Sequence, residues 1–327
     1  MEYHARMKAA VCRRYGPPEV VEIADVPKPV VGPRDVLVRV RATTVSAGDA
    51  RIRAARVPRG YGLMLRLAIG ITGPRNPILG FELAGEVVDV GRSVVRFKPN
   101  ERVFAARMGC HAEYVATREG SVAPMPPGFT FEQAAPLTFG GLTALYFLRD
   151  RARLQPGEQV LVNGASGAVG AAAVQLAKHF GAHVTGVCGA GNADLVRSLG
   201  ADRVIDYRAE DFTRGAEQYG VILDAVGNCP FERCRPVLAD GGRLLLVVAG
   251  MAEMLGAITR PARAGRKVLV GTPSAVHTVD LLLLRDLAES GAYRPVIDRV
   301  FPFARIAEAH AHVDTGHKRG NVVITLD

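Results

Sequence analysis

The pattern of apolar and polar residues divides the chain into a strand-rich first part and a second part in which strands alternate with helices. At 35–41, apolar residues alternate with charged ones, which predicts a half-buried strand. Turns rich in glycine and proline, such as 16–18 and 32–33, separate the β-rich segments. These segments are 7–12, 20–23, 36–42, 85–90 and 102–106. We therefore predict an all-β, barrel-like unit in the first part.

The pattern changes near residue 130. Thr130, followed three residues later by Gln133, is typical of a helix N-cap with its capping box. Further along, predicted strands at 184–187, 203–205, 221–224, 243–248 and 267–270 alternate with helical segments. This alternation predicts a parallel sheet covered on both faces. A helix at 278–290 and a second at 303–312, between strands at 297–301 and 321–326, complete the pattern.

Three glycines mark the start of the alternating part. The apolar run 160–162 leads to Gly164, Gly167 and Gly170, and an Ala-rich helical pattern follows at 171–180. A strand, a tight glycine turn and a helix together place a pyrophosphate on the helix N-terminus. We assign the turn to Gly164, the close approach of phosphates to Gly167 and helix–strand packing to Gly170. A flexible surface turn can have the same spacing, but the flanking strand and helix favour a dinucleotide site.

Composition limits the other possibilities. The length of 327 residues predicts two domains, and 48% hydrophobic and 22% charged residues are typical of a globular enzyme. No apolar run is long enough to span a bilayer and no secretion signal is recognisable, so we expect a cytoplasmic protein without membrane association. The net charge of +9 comes from scattered arginines with one mild cluster, which argues against nucleic-acid binding. The cluster consists of Arg51, Arg53, Arg56, Arg59 and Arg66.

The cysteines and histidines give no metal or disulfide pattern. None of the five cysteines has CxxC spacing, so we expect reduced thiols, with Cys12 and Cys188 packed in strands. His310, His312 and His317 are expected on a solvated helix face.

Several motifs occur together in a familiar order: 7–11, 80–87, 154–158, 163–170, 199–202 and 205–207. With them the chain resembles the medium-chain dehydrogenase/reductase superfamily, specifically its zinc-free quinone oxidoreductase branch. The resemblance implies an α/β protein with a GroES-like β-barrel catalytic domain at 1–127 and a Rossmann coenzyme domain, a doubly wound parallel sheet, at 128–273. It also implies that 274–327 returns to the catalytic domain, that the two domains flank a cleft, and that the protein is a homodimer.

The residues at the family's metal positions argue against zinc. Zinc-dependent members carry Cys and His where this chain has Ser46 and Phe81. A phenyl ring has no lone pair, and a serine hydroxyl is a poor zinc ligand beside thiolate. The lobe of four cysteines that binds structural zinc is also missing, and Cys110 and His111 would point to opposite faces of a strand. We therefore expect no metal.

The end of the second strand of the coenzyme domain bears on the choice between NADPH and NADH. This end, Gly189–Asn192, has no Asp or Glu to accept a hydrogen bond from a ribose hydroxyl, which favours NADPH. The same loop has no Ser, Lys or Arg, so NADH remains open. By resemblance, Tyr207 borders the adenosine phosphate, and Arg208 would add charge. The coenzyme contacts we expect are Gly164, Ala165, Ser166, Gly167, Ala168, Val169, Gly170, Gly189, Asn192, Tyr207, Arg208, Val226, Gly227, Val248 and Ala249.

Without a Lewis acid, the best-suited acceptor is one that delocalises the charge it gains. We therefore predict an NADPH-dependent reductase of quinones or α,β-unsaturated carbonyl compounds. The family pattern assigns catalytic positions to Ser46, Asp49 and Thr143, and a substrate pocket to Phe81 and Glu82. Asp49 could instead cap a helix, Phe81 could belong to the core, and Glu82 could be structural.

Two other functions fit the same motifs. One is reduction of an enoyl thioester, for which the basic 51–66 region would attract a phosphopantetheine or CoA carrier. The other is a non-catalytic dinucleotide-binding sensor.

Overall fold

Two large β-sheets of different construction organise the chain. The computed structural model describes residues 5–56, 66–67, 69–259, 265–271 and 275–327. The first two strands, β1 (Arg6–Cys12) and β2 (Val21–Pro27), form an antiparallel pair. A seven-stranded sheet has the order β14-β15-β3-β4-β5-β7, with β6 paired to β3. Its strands are β3 (Asp35–Val45), β4 (Glu82–Val90), β5 (Arg102–Ala106), β6 (Tyr114–Arg118), β7 (Val122–Pro124), β14 (Ile297–Pro302) and β15 (Asn321–Thr325).

The second large sheet is six-stranded and parallel, in the order β10-β9-β8-β11-β12-β13. Its strands are β8 (Gln159–Asn163), β9 (His183–Cys188), β10 (Arg203–Asp206), β11 (Tyr219–Asp224), β12 (Leu238–Leu246) and β13 (Lys267–Val270). The chain adds strands to one side of β8 and then to the other, so the strand order switches between β8 and β11. The predicted doubly wound parallel sheet is therefore confirmed, and ligands bind such sheets at the switch point, beyond the strands' carboxyl ends.

Helices connect and cover these strands. They are α1 (Ala47–Arg53), α2 (Phe131–Ala134), α3 (Leu137–Leu145), α4 (Ala168–His179), α5 (Ala193–Ser198), α6 (Phe231–Cys234), α7 (Met251–Thr259), α8 (Thr278–Glu289) and α9 (Ile306–Asp314). The predicted capping box at the start of α2 is confirmed, because Thr130 and Gln133 exchange side-chain-to-backbone hydrogen bonds. Among the described residues no helix is long and apolar enough to cross a membrane.

The end of the chain joins the two sheets. β15 pairs antiparallel with β3, and Gly320, just before β15, donates its N–H to the Ser166 carbonyl in the glycine turn. The residues between α9 and β15 therefore lie against the glycine turn between β8 and α4.

The expectation of a solvated histidine face is wrong for two of its three residues. His310 is fully buried, and His312 is half-buried with Nε2 2.6 Å from Asp298 Oδ2; His317 alone is exposed. The reason is helical periodicity, because His310 lies on the same face of α9 as Ile306 and Val313, which pack into the first domain's core.

The expectation of five reduced thiols is also wrong. Cys229 and Cys234, at either end of the turn that contains α6, form a disulfide, with Cα atoms 6.2 Å apart. Both are buried. Cys12, Cys110 and Cys188 are also buried, but they are free thiols. The predicted packing of Cys12 and Cys188 in or at the end of strands is confirmed. Cys229 and Cys234 are five residues apart in sequence, which does not fit the CxxC pattern.

The disulfide gives a direct test. Protein purified without reductant and then denatured should titrate three thiols per chain, and five after reduction. Cys234→Ser should titrate four without reductant. Five thiols in the unreduced wild type would contradict the pairing.

Candidate active site

The glycine turn between β8 and α4 has the geometry that its sequence predicts. Gly164 has a φ of +81°, a conformation that favours glycine, and the turn closes where Gly167 donates its N–H to the Gly164 carbonyl. A Cβ on Gly170 would lie 2.0 Å from the Gly164 oxygen, so helix and turn pack together only because Gly170 has no side chain. A Cβ on Gly167 would meet the same oxygen at an ordinary 3.5 Å, which leaves its outer side open.

This turn borders the larger of two adjoining cavities, of about 930 Å³. Gly167 is the N-cap of α4 without a side-chain hydrogen bond, so no side chain of the N-cap occupies the first N–H groups of that helix, which lie at the cavity wall. The open turn and the uncapped helix N-terminus fit a dinucleotide pyrophosphate.

Asp224 organises the opposite side of the strand-order switch. It is fully buried, accepts the Asn163 amide at 2.9 Å, and accepts N–H groups from the loop after β11 at 2.9–3.0 Å. Those N–H groups belong to Val226, Gly227 and Cys229. The carboxylate thus fixes the loop that separates the two cavities.

The far end of the larger cavity is basic. Tyr207 and Arg208 follow β10, and a Cβ on Gly191 would lie 3.9 Å from Arg319 Nη2. The two carboxylates at this end are already engaged: Glu210 is 3.0 Å from Arg203, and Asp211 is 3.4 Å from Arg233.

Lys318 adds a further positive charge beside the glycine turn. Its ammonium donates to the Gly320 carbonyl. Burial lowers the pKa of Lys318 to about 8, although the charges of Asp298 and Glu82 act against this shift. An ammonium held in a cavity wall at this cost is suited to a bound anion.

The smaller cavity, of about 640 Å³, continues past the carboxyl ends of β11 and β12. It shares Ala47, Arg51, Val313 and Gly316 with the larger one. The adenosine half of a bound dinucleotide lies beyond β9 and its nicotinamide half beyond β11 and β12. The smaller cavity is therefore at the nicotinamide end.

Glu82 connects the two domains from inside the protein. It is fully buried at the start of β4, where Thr44 donates its hydroxyl to Oε1 at 2.7 Å. Oε2 accepts the hydroxyl and N–H of Thr138 and the N–H of Phe139, all within 3.0 Å, at the N-terminus of α3. Burial raises the pKa of Glu82 to about 7, and these hydrogen bonds oppose the shift.

Ser46 and Asp49 form a capping box at the start of α1. Asp49 Oδ2 accepts the Ser46 N–H and hydroxyl, and Asp49 Oδ1 accepts the Gly80 N–H at 2.8 Å. Both carboxylate oxygens are therefore engaged within the protein. This geometry matches the helix-capping alternative for Asp49 and holds the segment that leads to Phe81 against α1.

Phe81 and Phe139 form an apolar wall with their ring centroids 5.7 Å apart, and only Phe139 lines the larger cavity. Thr143, one turn further along α3, donates its hydroxyl to the Phe139 carbonyl and lines neither cavity.

Most of the predicted coenzyme residues come together. Gly227 and Val248 line the smaller cavity, whereas Ala165 is buried behind the turn and Ala249 lines neither cavity. The residues on the larger cavity are Gly164, Ser166, Gly167, Ala168, Val169, Gly170, Gly189, Asn192, Tyr207, Arg208 and Val226. Of the residues predicted for catalysis and substrate binding, Ser46, Asp49 and Glu82 are buried and Thr143 and Phe81 are half-buried, and none of the five lines either of these two cavities.

Sequence reasoning missed Phe139, Lys318 and Arg319. A signal existed for the last two, because a basic pair stands directly before the glycine that precedes the final strand. Arg51 was noted within the arginine cluster, and Arg59 of that cluster lies outside the described residues.

In the described part of the chain no group of three or more His, Cys, Asp or Glu side chains could hold a metal ion. Ser46 and Phe81, which the sequence resemblance places at the family's zinc positions, have the contacts given above. Cys110 donates its thiol to the Arg107 carbonyl, and His111 Nε2 lies 2.9 Å from the Thr44 carbonyl.

Two family models match separate parts of the chain. Residues 32–127 match the family model for the alcohol dehydrogenase GroES-like domain, and residues 199–324 match that for zinc-binding dehydrogenases. The chain is 33% identical to human NAD(P)H oxidoreductase RTN4IP1, mitochondrial, over 98% of this chain and 89% of that protein. It is 32% identical to the NADPH-dependent alkenal/one oxidoreductase, chloroplastic, of Arabidopsis thaliana, over 97% and 79%. The structure of the quinone oxidoreductase from Coxiella burnetii superposes with a TM-score of 0.86 and 26% identity, over 99% and 100%.

Glu82 should make stability depend on pH. Its folded pKa of about 7 exceeds its usual value of 4.5, so between these values the unfolded chain loses the proton that the folded chain keeps. The free energy of unfolding should therefore fall as pH rises through this window, by up to about 3 kcal/mol. Glu82→Gln should remove this component from the pH profile of the melting temperature. The exposed Glu22→Gln is the control, and a Glu82→Gln profile parallel to wild type would contradict the account.

Two glycines of the turn should respond differently to alanine. Gly170→Ala forces a Cβ against the Gly164 carbonyl and should cost about 3 kcal/mol of stability. Gly167→Ala should melt close to wild type but bind NADPH at least about tenfold more weakly, because its methyl group occupies the open side of the turn. Melting curves and NADPH titrations measure both effects. Unchanged NADPH affinity in Gly167→Ala would place the phosphates elsewhere.

Proposed function

The chain belongs to the medium-chain dehydrogenase/reductase superfamily, in its quinone-oxidoreductase-like branch, and from that membership we propose a zinc-independent, NADPH-dependent reductase of quinones or α,β-unsaturated carbonyl compounds. The relatives support an oxidoreductase that uses a nicotinamide coenzyme. The observation that carries the finer proposal is the pair of adjoining cavities, one built for a dinucleotide and the other at its nicotinamide end.

The basic end of the larger cavity supports NADPH. Residues 189–192 after β9 include no carboxylate, so nothing on this loop repels a ribose phosphate. Arg208 and Arg319 line the same end and form no ion pair with any carboxylate in the described part of the chain. A phosphate on the adenosine ribose would supply that missing partner.

The contacts of Ser46 support zinc independence. Its hydroxyl donates to Asp49 and accepts the Asp49 N–H, so this group serves the start of α1. Phe81 offers an aromatic ring where zinc members have an imidazole. When bound, the coenzyme supplies the hydride. The protein's part is to orient both reactants, exclude water, and leave the acceptor to delocalise the charge it gains.

In this proposal the remaining predicted site residues hold other groups in position. Asp49 holds the Gly80 N–H, Glu82 holds the N-terminus of α3, and Thr143 supports the turn that carries Phe139. Together they keep the Phe81–Phe139 wall in place beside the larger cavity. The homodimer, the cytoplasmic location and the absence of nucleic-acid and membrane partners stay predictions.

The proposal is tested by steady-state kinetics with naphthoquinone and methyl vinyl ketone. Acceptor-dependent oxidation should favour NADPH over NADH by about tenfold in kcat/KM, because the arginines lose a phosphate partner with NADH. Arg319→Met should lose most of that preference, whereas the exposed Arg92→Met, which lines neither cavity, should keep it. NADPH binding without turnover of any acceptor would indicate the non-catalytic sensor instead.

A further inference from the structure

The wall of the smaller cavity carries a guanidinium group without a partner. Arg51, on α1, lines both cavities, and its side chain has no ion pair or hydrogen bond with any other residue that the structure describes. Its burial lowers the pKa of the guanidinium, as expected for a cation removed from water without a partner. A bound anion would offset that cost.

Arg56 stands on the same cavity with only part of a partner. Its Nη1 is 3.6 Å from Asp314 Oδ1, but the fully buried Arg53 holds Asp314 Oδ2 at 2.5 Å. The side chain of Arg56 is 64% exposed, so it can reach a ligand without being pulled from a buried pair.

Among the residues that the structure describes, none of the three carboxylates on this cavity forms an ion pair with Arg51. Asp224 is buried and accepts hydrogen bonds from Asn163 and from the loop after β11, and Asp314 forms an ion pair with Arg53. Glu253 on α7 is the remaining carboxylate of the lining. Hydrogen bonds from neutral groups leave the charge of Asp224 in place, so the lining is not positive as a whole. What it offers an anion is the guanidinium donors of Arg51, which no described residue occupies, and those of the exposed Arg56.

On the basis of the proposed function, we propose that the acceptor carries an anionic group and that Arg51, assisted by Arg56, binds it. The coenzyme pyrophosphate is the competing partner for Arg51, since this residue also lines the larger cavity. That pyrophosphate would be held by the N-terminus of α4 and by Lys318, both on the larger cavity, whereas Arg56 lines only the smaller one. The anion is a carboxylate or sulfonate on a small acceptor, or a phosphate on a thioester carrier.

The test compares matched acceptors that differ in charge. Wild type should reduce naphthoquinone sulfonate with a higher kcat/KM than naphthoquinone. Arg51→Met, which keeps most of the apolar stem, should lower that ratio by about tenfold, mainly through KM for the sulfonate. Glu253→Gln should raise the ratio, because it removes the opposing carboxylate. Arg92→Met should leave both acceptors and the ratio as in wild type.

A second pair of acceptors distinguishes the sources of the anion. An Arg51-dependent preference for crotonyl-CoA over crotonyl-pantetheine identifies a phosphate-bearing thioester, and the same dependence for the sulfonate alone identifies a small anionic acceptor; either result supports the inference. Titration of naphthalene sulfonate into the NADP⁺ complex measures the same contact without turnover, and should show weaker binding in Arg51→Met.

Three outcomes separate the possible failures. Equal losses on charged and neutral acceptors in Arg51→Met, or unchanged sulfonate binding, overturn the inference and leave the reductase standing. If Arg51→Met loses as much affinity for NADPH as for the sulfonate, Arg51 binds the coenzyme, and the inference is again overturned. No turnover of any acceptor by wild type removes the proposed function itself.

Discussion

The arrangement of the site depends on one buried carboxylate. Glu82 begins a strand of the first domain, and its side chain accepts two N–H groups and a hydroxyl from the first turn of α3, the helix that packs against α4. A helix N-terminus is a favourable partner for a negative charge, and Thr44 satisfies the other oxygen. Removing these hydrogen bonds would leave a buried acceptor and orphaned donors together, which is why the two domains meet in one defined way at this point.

The cleft's other features follow from that junction. Glu82 fixes Phe139 and so the apolar wall, while the neighbouring Asp49 binds Gly80 and sets the position of α1. A Cβ on Gly48 would lie 3.1 Å from the Phe81 ring, so α1 and the wall are in close contact. From α1, Arg51 reaches the place where the two cavities join. The residues that the family resemblance assigns to catalysis thus do not line these two cavities. They hold in place the surfaces that do.

Local sequence signals predicted the fold well because strand alternation, capping boxes and glycine turns act over a few residues. The Thr130–Gln133 box and the Gly164–Gly170 turn are examples in which the pattern itself contains the geometry. Long-range contacts were less accessible. Nothing near His310 in sequence shows that its helix face turns into the first domain's core, and nothing near Lys318 and Arg319 shows that they lie against a turn 150 residues earlier. The Cys229–Cys234 pairing likewise depends on a turn whose shape Asp224 sets through the Cys229 N–H.

In the proposed reaction, hydride passes in this cleft directly from a nicotinamide to an unsaturated acceptor without a metal. The most direct test follows deuterium from NADPH labelled at the nicotinamide C4 into an enone, with enzyme exhaustively treated with a zinc chelator. The label should appear at the β-carbon of the product at the rate seen before treatment. Loss of label transfer after chelation, restored by added zinc, would contradict it.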